Sequence, residues 1–252
     1  METVDIAERR QQMGRATAGW TAVPGADHWV RDTSWLYLSG LPSADVNLAL
    51  VHGDVPQDLF DATDAIKAKD VPALLMLAGD GTALGEGLGP EWSNVGTAPF
   101  MVAHVESTPQ ASDNRVRRAS AADADVVAQL WAEGFGIPFA VCAPMVEAIA
   151  SSSAEDMTAW VLENDGAGVS SVTTCRVDDA MTIWSMVTPQ QYGRQGFGRA
   201  LLADAMARAA SDGVQVGLLV ATPAGKPLYD ATGWTTLEEW QIYTNSNSAQ
   251  FH

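Results

Sequence analysis

Between Val187 and Leu202 the chain sets three glycines and two arginines where an apolar, strand-like run passes into an amphipathic, helix-like one. Gly193, Gly196 and Gly198 let the backbone come close to an anion, and successive amide N–H groups of such a turn can point at its oxygens. A helix beginning there presents its positive end, and Arg194 and Arg199 can add charge-assisted hydrogen bonds. The chemistry implied is phosphate binding. The spacing Gly-x-x-Gly-x-Gly differs from the Gly-x-Gly-x-x-Gly of dinucleotide folds, and no Lys followed by Ser or Thr closes it as a nucleoside triphosphate loop would. Taken alone, such a turn is also compatible with a purely structural strand-to-helix junction.

The elements that must hold this loop read clearly on both sides. After it, Leu201, Leu202, Ala205, Met206 and Ala209 repeat at helical spacing through 198–210, and Asp212-Gly213 ends that helix. A buried strand follows at 215–220, a turn at 222–225, and a short helix over 226–234 that stops at Gly233. Upstream, 115–119 reads as a strand. Ser120 with Asp123 introduces a helix carrying Val126, Val127, Leu130 and Trp131 on one face, and a second helix covers 144–151. Strands at 158–163, 169–176 and 181–187 are separated by turns at 164–166 and 178–179.

This order, with Gly196 and Gly198 at the loop and Leu228-Tyr229-Asp230-Ala231-Thr232-Gly233-Trp234 beyond it, resembles the GCN5-related N-acetyltransferases (GNAT). Their pyrophosphate motif begins with Gln or Arg, followed by two residues, Gly, one residue, and Gly or Ala; this chain departs from it by placing Gly193 first. Their late helix commonly reads Leu-Tyr-x-x-x-Gly-Phe. The resemblance runs from Arg115 to about Thr244, roughly half the chain. It implies an α/β (α+β) fold with a mixed central sheet flanked by helices, and acetyl-CoA as acyl donor with no metal. The donor would be held by the backbone of Met186, Val187 and Thr188 and by Gly193, Arg194, Gln195, Gly196, Phe197, Gly198 and Arg199. It further implies direct attack of a neutral primary amine on the thioester. A backbone N–H near Met186 or Val187 would stabilise the oxyanion and Tyr229 would protonate the leaving thiolate as general acid.

The general base has no sequence signature. Glu133 is the residue carried forward for that role; Glu147, Glu238 and Glu239 are further carboxylates within reach of it in principle, and each also reads as a solvated surface group. Trp131, Phe135, Phe139 and Trp184 can line an acceptor pocket or fill the core. The resemblance implies an acyltransferase, and the paired architecture with the apolar content near the expected cleft favours a small-molecule amine as acceptor. The competing reading is a non-catalytic acyl-CoA-binding sensor or partner protein, which Gly193 and the unidentified base favour and Tyr229 opposes.

At 252 residues the chain suits two domains of about 100–150 residues each. The run 106–114 has no apolar periodicity and reads as a linker, which divides the chain into 1–110 and 111–252. The first part, with Asn47, an apolar strand at 72–78, a helix at 59–68 and strands at 46–51 and 100–105, resembles the degenerate N-terminal half of two-part GNAT enzymes. It is expected to lack a cofactor loop and to pack against the second half. Its string 79–89 is rich in glycine yet carries Asp80 and Glu86 and no cation, so a flexible surface loop is expected there and not a phosphate site.

The net charge of −17 argues against a nucleic-acid partner, which needs an excess of Lys and Arg. No apolar run is long enough to span a membrane and the first residues hold no signal-peptide core, so a soluble cytoplasmic protein, monomer or homodimer, is expected. Cys142 and Cys175 are too few for a disulfide framework or zinc site, and His28, His52, His104 and His252 form no metal pair.

Overall fold

The computed structural model describes residues 5–151 and 157–246; His252 lies outside them. The chain opens with α1 (Ile6–Ala16), capped by the Asp5 carboxylate on the Glu8 amide at 3.2 Å. A hairpin of β1 (Asp27–Arg31) and β2 (Ser34–Leu38) follows, then β3 (Asn47–Val51), α2 (Pro56–Lys69), β4 (Leu74–Leu77) and β5 (Ser93–His104). Next come β6 (Val116–Arg118), α3 (Ala124–Phe135), α4 (Phe139–Ser151), β7 (Met157–Asn164), β8 (Ala167–Val177) and β9 (Ala180–Val187). The last elements are α5 (Phe197–Ser211), β10 (Val216–Val220), α6 (Lys226–Asp230) and β11 (Thr235–Thr244). Among the described residues no helix is long and apolar enough to cross a membrane.

Where the sequence suggests one cut at 110/111, the compact units are interleaved. One takes in the chain up to Met101, Val220–Ala224 and the chain from Thr236 onward; the other takes in Val102–Leu219 and Gly225–Thr235. The physical reason is β11, which returns to lie antiparallel to β4 with Gln241 opposite Leu77 and Thr244 opposite Leu74. The expected linker is also tied down. The Ala111 amide donates to the Ala203 carbonyl at 3.3 Å and the Asp113 amide to the buried Asp204 carboxylate at 3.0 Å, both on α5.

In the first unit the strand order is β1-β2-β3-β4-β11-β5. Alternate residues of β2 serve opposite faces. Leu36 and Leu38 join Leu59, Ala62 and Ile66 of α2 in one core, while Trp35 lies so close beneath α1 that a Cβ on Gly14 would fall 2.5 Å from its ring. The Gly79–Gly87 segment is a 3-10 run and not the loose loop expected, because a side chain at Gly81 would meet the Val51 carbonyl at 2.5 Å. Asn47 is fully buried and acts as a hub. Its amide nitrogen faces the carbonyls of Leu41, Ser43 and Pro72, each at 2.8 Å, and its oxygen accepts from Ser39 and the Gly40 amide at 3.1 Å. A half-buried ion pair ties α1 to β11. The Arg10 guanidinium pairs with both Glu238 oxygens, Trp240 donates to that carboxylate at 2.7 Å, and His52 sits 3.3 Å from the Gln11 amide.

In the second unit the order is β10-β9-β8-β7-β6, antiparallel except for the parallel pair β9/β10. The two faces are covered by different helices. Gly168 lies against Val126 and Leu130 of α3 beside Val161, whereas the ring of neighbouring Trp160 carries Arg208 of α5 at 4.2 Å. The Ser120/Asp123 capping box forms as expected and leads through a short 3-10 turn into α3. The second helix begins at Phe139, five residues before the expected start, and carries Pro144 inside it. Its first turn is closed by the Val141 and Cys142 amides on the Pro138 carbonyl, at 2.8 and 3.2 Å.

Two predictions test the first unit. Replacing Asn47 by Ala leaves half-buried backbone groups without their partner, at the low end of roughly 1–3 kcal/mol each, so urea unfolding will show a loss of about 3 kcal/mol; Asn47→Asp will not restore it, because a carboxylate cannot donate. Burial, reinforced by the Arg10 guanidinium and opposed by Glu238 and Asp58, lowers the His52 pKa from 6.5 to about 4. The unfolded chain therefore binds a proton that the folded chain refuses, so stability is fully present above pH 6.5 and falls as pH drops from there to about 4. Melting temperature against pH will show that decline in the wild type and a shallower one in His52→Asn.

Candidate active site

Three features of the second unit meet at the end of β9. The first is a parting of strands. Pairing between β9 and β10 covers Ala180, Met181 and Thr182 against Val216, Gly217 and Leu218, and Ile183–Val187 then continues along β8 without a β10 partner. The β8 side is irregular there too. Ser171 opposes Val187 and Thr173 opposes Trp184, so Ser185 and Met186 together face the single residue Val172, with Ser185 at φ 47°. A bulge of this kind bends the strand and re-aims its side chains while Val187 stays paired with Ser171.

The second feature is the glycine loop. Arg194 and Gly196 have φ of 58° and 86°, and Gly196 is the N-cap of α5. With no side-chain cap and no acidic residue in the first turn, the helix leaves its leading N–H groups free for an anion. Arg194 and Arg199 are exposed and hold no ion pair among the described residues, as is also true of Arg118 and Arg176, whereas Arg115, Arg117, Arg208 and Lys226 of the same unit are each engaged by carboxylates. A Cβ on Gly198 would lie 3.2 Å from the Thr188 hydroxyl, 3.6 Å from Leu228 and 3.9 Å from the Met186 methyl. Thr188 in turn is 2.8 Å from the Ser170 hydroxyl, which also donates to the Val187 carbonyl at 2.7 Å.

The third feature is Tyr229 on α6. Its hydroxyl lies 3.6 Å from the Met186 sulfur, and its ring packs edge-on against Trp234 with centroids 5.6 Å apart. Trp234 itself sits over Gly217, where any side chain would collide with it at 2.6 Å. Burial holds the Tyr229 pKa well above the usual phenol value, so the hydroxyl keeps its proton at neutral pH. Met186 is therefore the common neighbour of the tyrosine hydroxyl and the loop.

Residues 119–246 match the family model for an acetyltransferase (GNAT) domain, half the chain and all three of these features. The chain belongs to the GNAT family. Among solved structures it is similar to a GCN5-related N-acetyltransferase from Kribbella flavida, at 16% identity over 96% of both chains with a TM-score of 0.66. A GCN5-related N-acetyltransferase from Sphaerobacter thermophilus aligns over 97% of this chain and 95% of that one, at 13% identity and a TM-score of 0.58. Saccharomyces cerevisiae N-myristoyltransferase with bound myristoyl-CoA aligns over 87% of this chain and 65% of that one, at 11% identity and a TM-score of 0.56. At these identities the likeness is one of fold. No curated protein sequence matches the chain.

Within this GNAT domain the expected residues divide. Met186, Thr188, Gly198 and Tyr229 come together, and Gly196 opens the helix beside them. Glu133 is exposed on α3, where its carboxylate accepts from the Gln129 amide and from that of Gln191, just ahead of the loop, at 2.9 Å each. Glu238 is engaged by Arg10 in the other unit; Glu147 and Glu239 are exposed. Of the aromatic candidates Trp131 is buried, Phe139 is exposed, and Trp184 donates to Thr182 at 2.8 Å. Among the described residues no group of three or more His, Cys, Asp or Glu is arranged to hold a metal. Sequence reading overlooked Ser170, Ser185 and Gly134. Only Gly134, a glycine inside a helix, leaves a trace: a Cβ there would overlap Val187.

Gly196 separates strain from space, since its φ is 86° and nothing lies within 4 Å of a Cβ added there. Gly196→Ala will cost about 1–2 kcal/mol in denaturant unfolding, the penalty of the left-handed region. Gly196→Asn will recover part of it.

Proposed function

We propose that this GNAT protein transfers acetyl from acetyl-CoA to the primary amine of a small molecule by direct attack. What carries the reading is the meeting of Tyr229, Met186 and the uncapped glycine loop at the place where β9 parts from β10. The backbone of Met186, Val187 and Thr188, free of β10, offers the donor's amide arm an edge to pair with. The loop amides from Gly193 to Gly198 and the side chains of Arg194 and Arg199 suit its pyrophosphate. The thioester supplies an activated acyl group with a thiolate leaving group.

A backbone N–H at Met186 or Val187 stabilises the oxyanion as the amine attacks, and Tyr229, kept protonated by burial, gives its proton to the sulfur. Proximity provides much of the rate. Glu133 is exposed, so the amine's proton can pass to it through water. Gly193 replaces the side chain that often starts the motif, which places more of the pyrophosphate binding on backbone amides and the two arginines.

Calorimetry with acetyl-CoA on the intact chain and on Gly196→Glu with Gly198→Glu tests the donor site; binding in the wild type and its loss in the variant is the expected result. Tyr229→Phe is expected to keep donor binding while kcat on an accepted amine falls by about 100-fold or more. Donor binding with no turnover on any amine in the wild type would favour an acyl-CoA sensor instead.

A further inference from the structure

On α2, Leu59, Ala62 and Ile66 are buried while Phe60 is 60% exposed. A single exposed ring is ordinary, but this one stands where two cavities of about 570 and 470 Å³ adjoin. Phe60, Thr63, Glu91 and Trp92 line both. One cavity runs under the Gly79–Gly87 segment, across Leu84 and Leu88; the other runs past Asp64, Lys67 and Asp70 to Asn245. Their sizes suit a small organic ligand, and every lining residue belongs to the first unit.

The charge of the groove selects the ligand. Asp64, Asp70 and Glu91 oppose the single ammonium of Lys67, on a chain of net charge −17. The Glu91 carboxylate has no ion pair or hydrogen-bond donor among the described residues. It is folded over the backbone at Gly89, where an added Cβ would fall 2.3 Å from one of its oxygens. Two aromatic rings beside an uncompensated carboxylate attract a cation, and the three carboxylates outweigh the one ammonium that could meet an anion.

We propose that this groove binds an organic cation, a protonated or quaternary amine on an aromatic or branched apolar body. The apolar part lies against Phe60, Leu84, Leu88 and Trp92, and the charge lies at Glu91. Binding here does not depend on acyl transfer and makes the first unit a ligand-binding module in its own right.

The test uses benzyltrimethylammonium, which has no nitrogen that can be acetylated, with phenylacetate as an aromatic anion of similar size. Calorimetry on the full chain is expected to show saturable binding of the cation and none of the anion. Phe60→Ala and Glu91→Gln, both at exposed positions, are each expected to weaken the cation by about fivefold or more. Absence of binding, equal binding of phenylacetate, or affinity unchanged in both variants overturns the proposal. So does a dimer by sedimentation that Phe60→Asp dissolves while the cation fails to bind, which would make the groove an interface between copies.

Discussion

The second unit turns on a refusal of two parallel strands to stay paired. β9 and β10 share three residue pairs and then part, and a bulge at Ser185 and Met186 bends the end of β9 while Val187 stays paired with β8. A backbone edge without a strand partner must find other hydrogen bonds, so the parting is tolerable only where solvent or a ligand with amide groups of its own can supply them. The neighbouring features follow from it. Tyr229 of α6 meets Met186 in the part of β9 that has no β10 partner, and the glycine loop follows directly from that end.

What holds that end in place is small and local. Ser170 fastens the Val187 carbonyl and Thr188 together, Gly134 lets α3 press on Val187, and Glu133 holds Gln191 ahead of the loop. These contacts come from strands and helices whose own positions are fixed by burial on both faces of the sheet. The glycine loop is thus irregular in conformation but anchored at each end by regular structure.

Much of this was legible in the sequence because its signals are local. The period of Leu201, Leu202, Ala205 and Met206, the Ser120/Asp123 box and the turns at 164–166 and 178–179 that separate β7, β8 and β9 each announce their element within a dozen residues. The glycine loop and Tyr229 were readable for the same reason, as spacing within short motifs. What escaped depends on distant partners. α1 is too polar to show an apolar face, and its fit rests on Gly14 over Trp35. The 79–89 segment reads as a loop by composition and is ordered by Gly81 against Val51. The 106–114 run looks like a linker until Asp204, some ninety residues on, binds it. Ser185 carries no mark of its left-handed backbone, since the bulge is a property of two strands in register.

The return of β11 to β4 has a consequence for biogenesis. The Ala73 amide is bonded to the Asn245 side chain across 172 positions, and Leu74–Leu77, all buried, pair with β3 on one edge but find the partner for their other edge in β11. While the chain is being made, the first unit must therefore wait on the ribosome with an apolar strand edge exposed until nearly all of the second has emerged. Nascent chains of this kind are candidates for chaperone contact during that interval. The second unit has most of its sheet in one stretch and can fold ahead of the unit that precedes it in sequence.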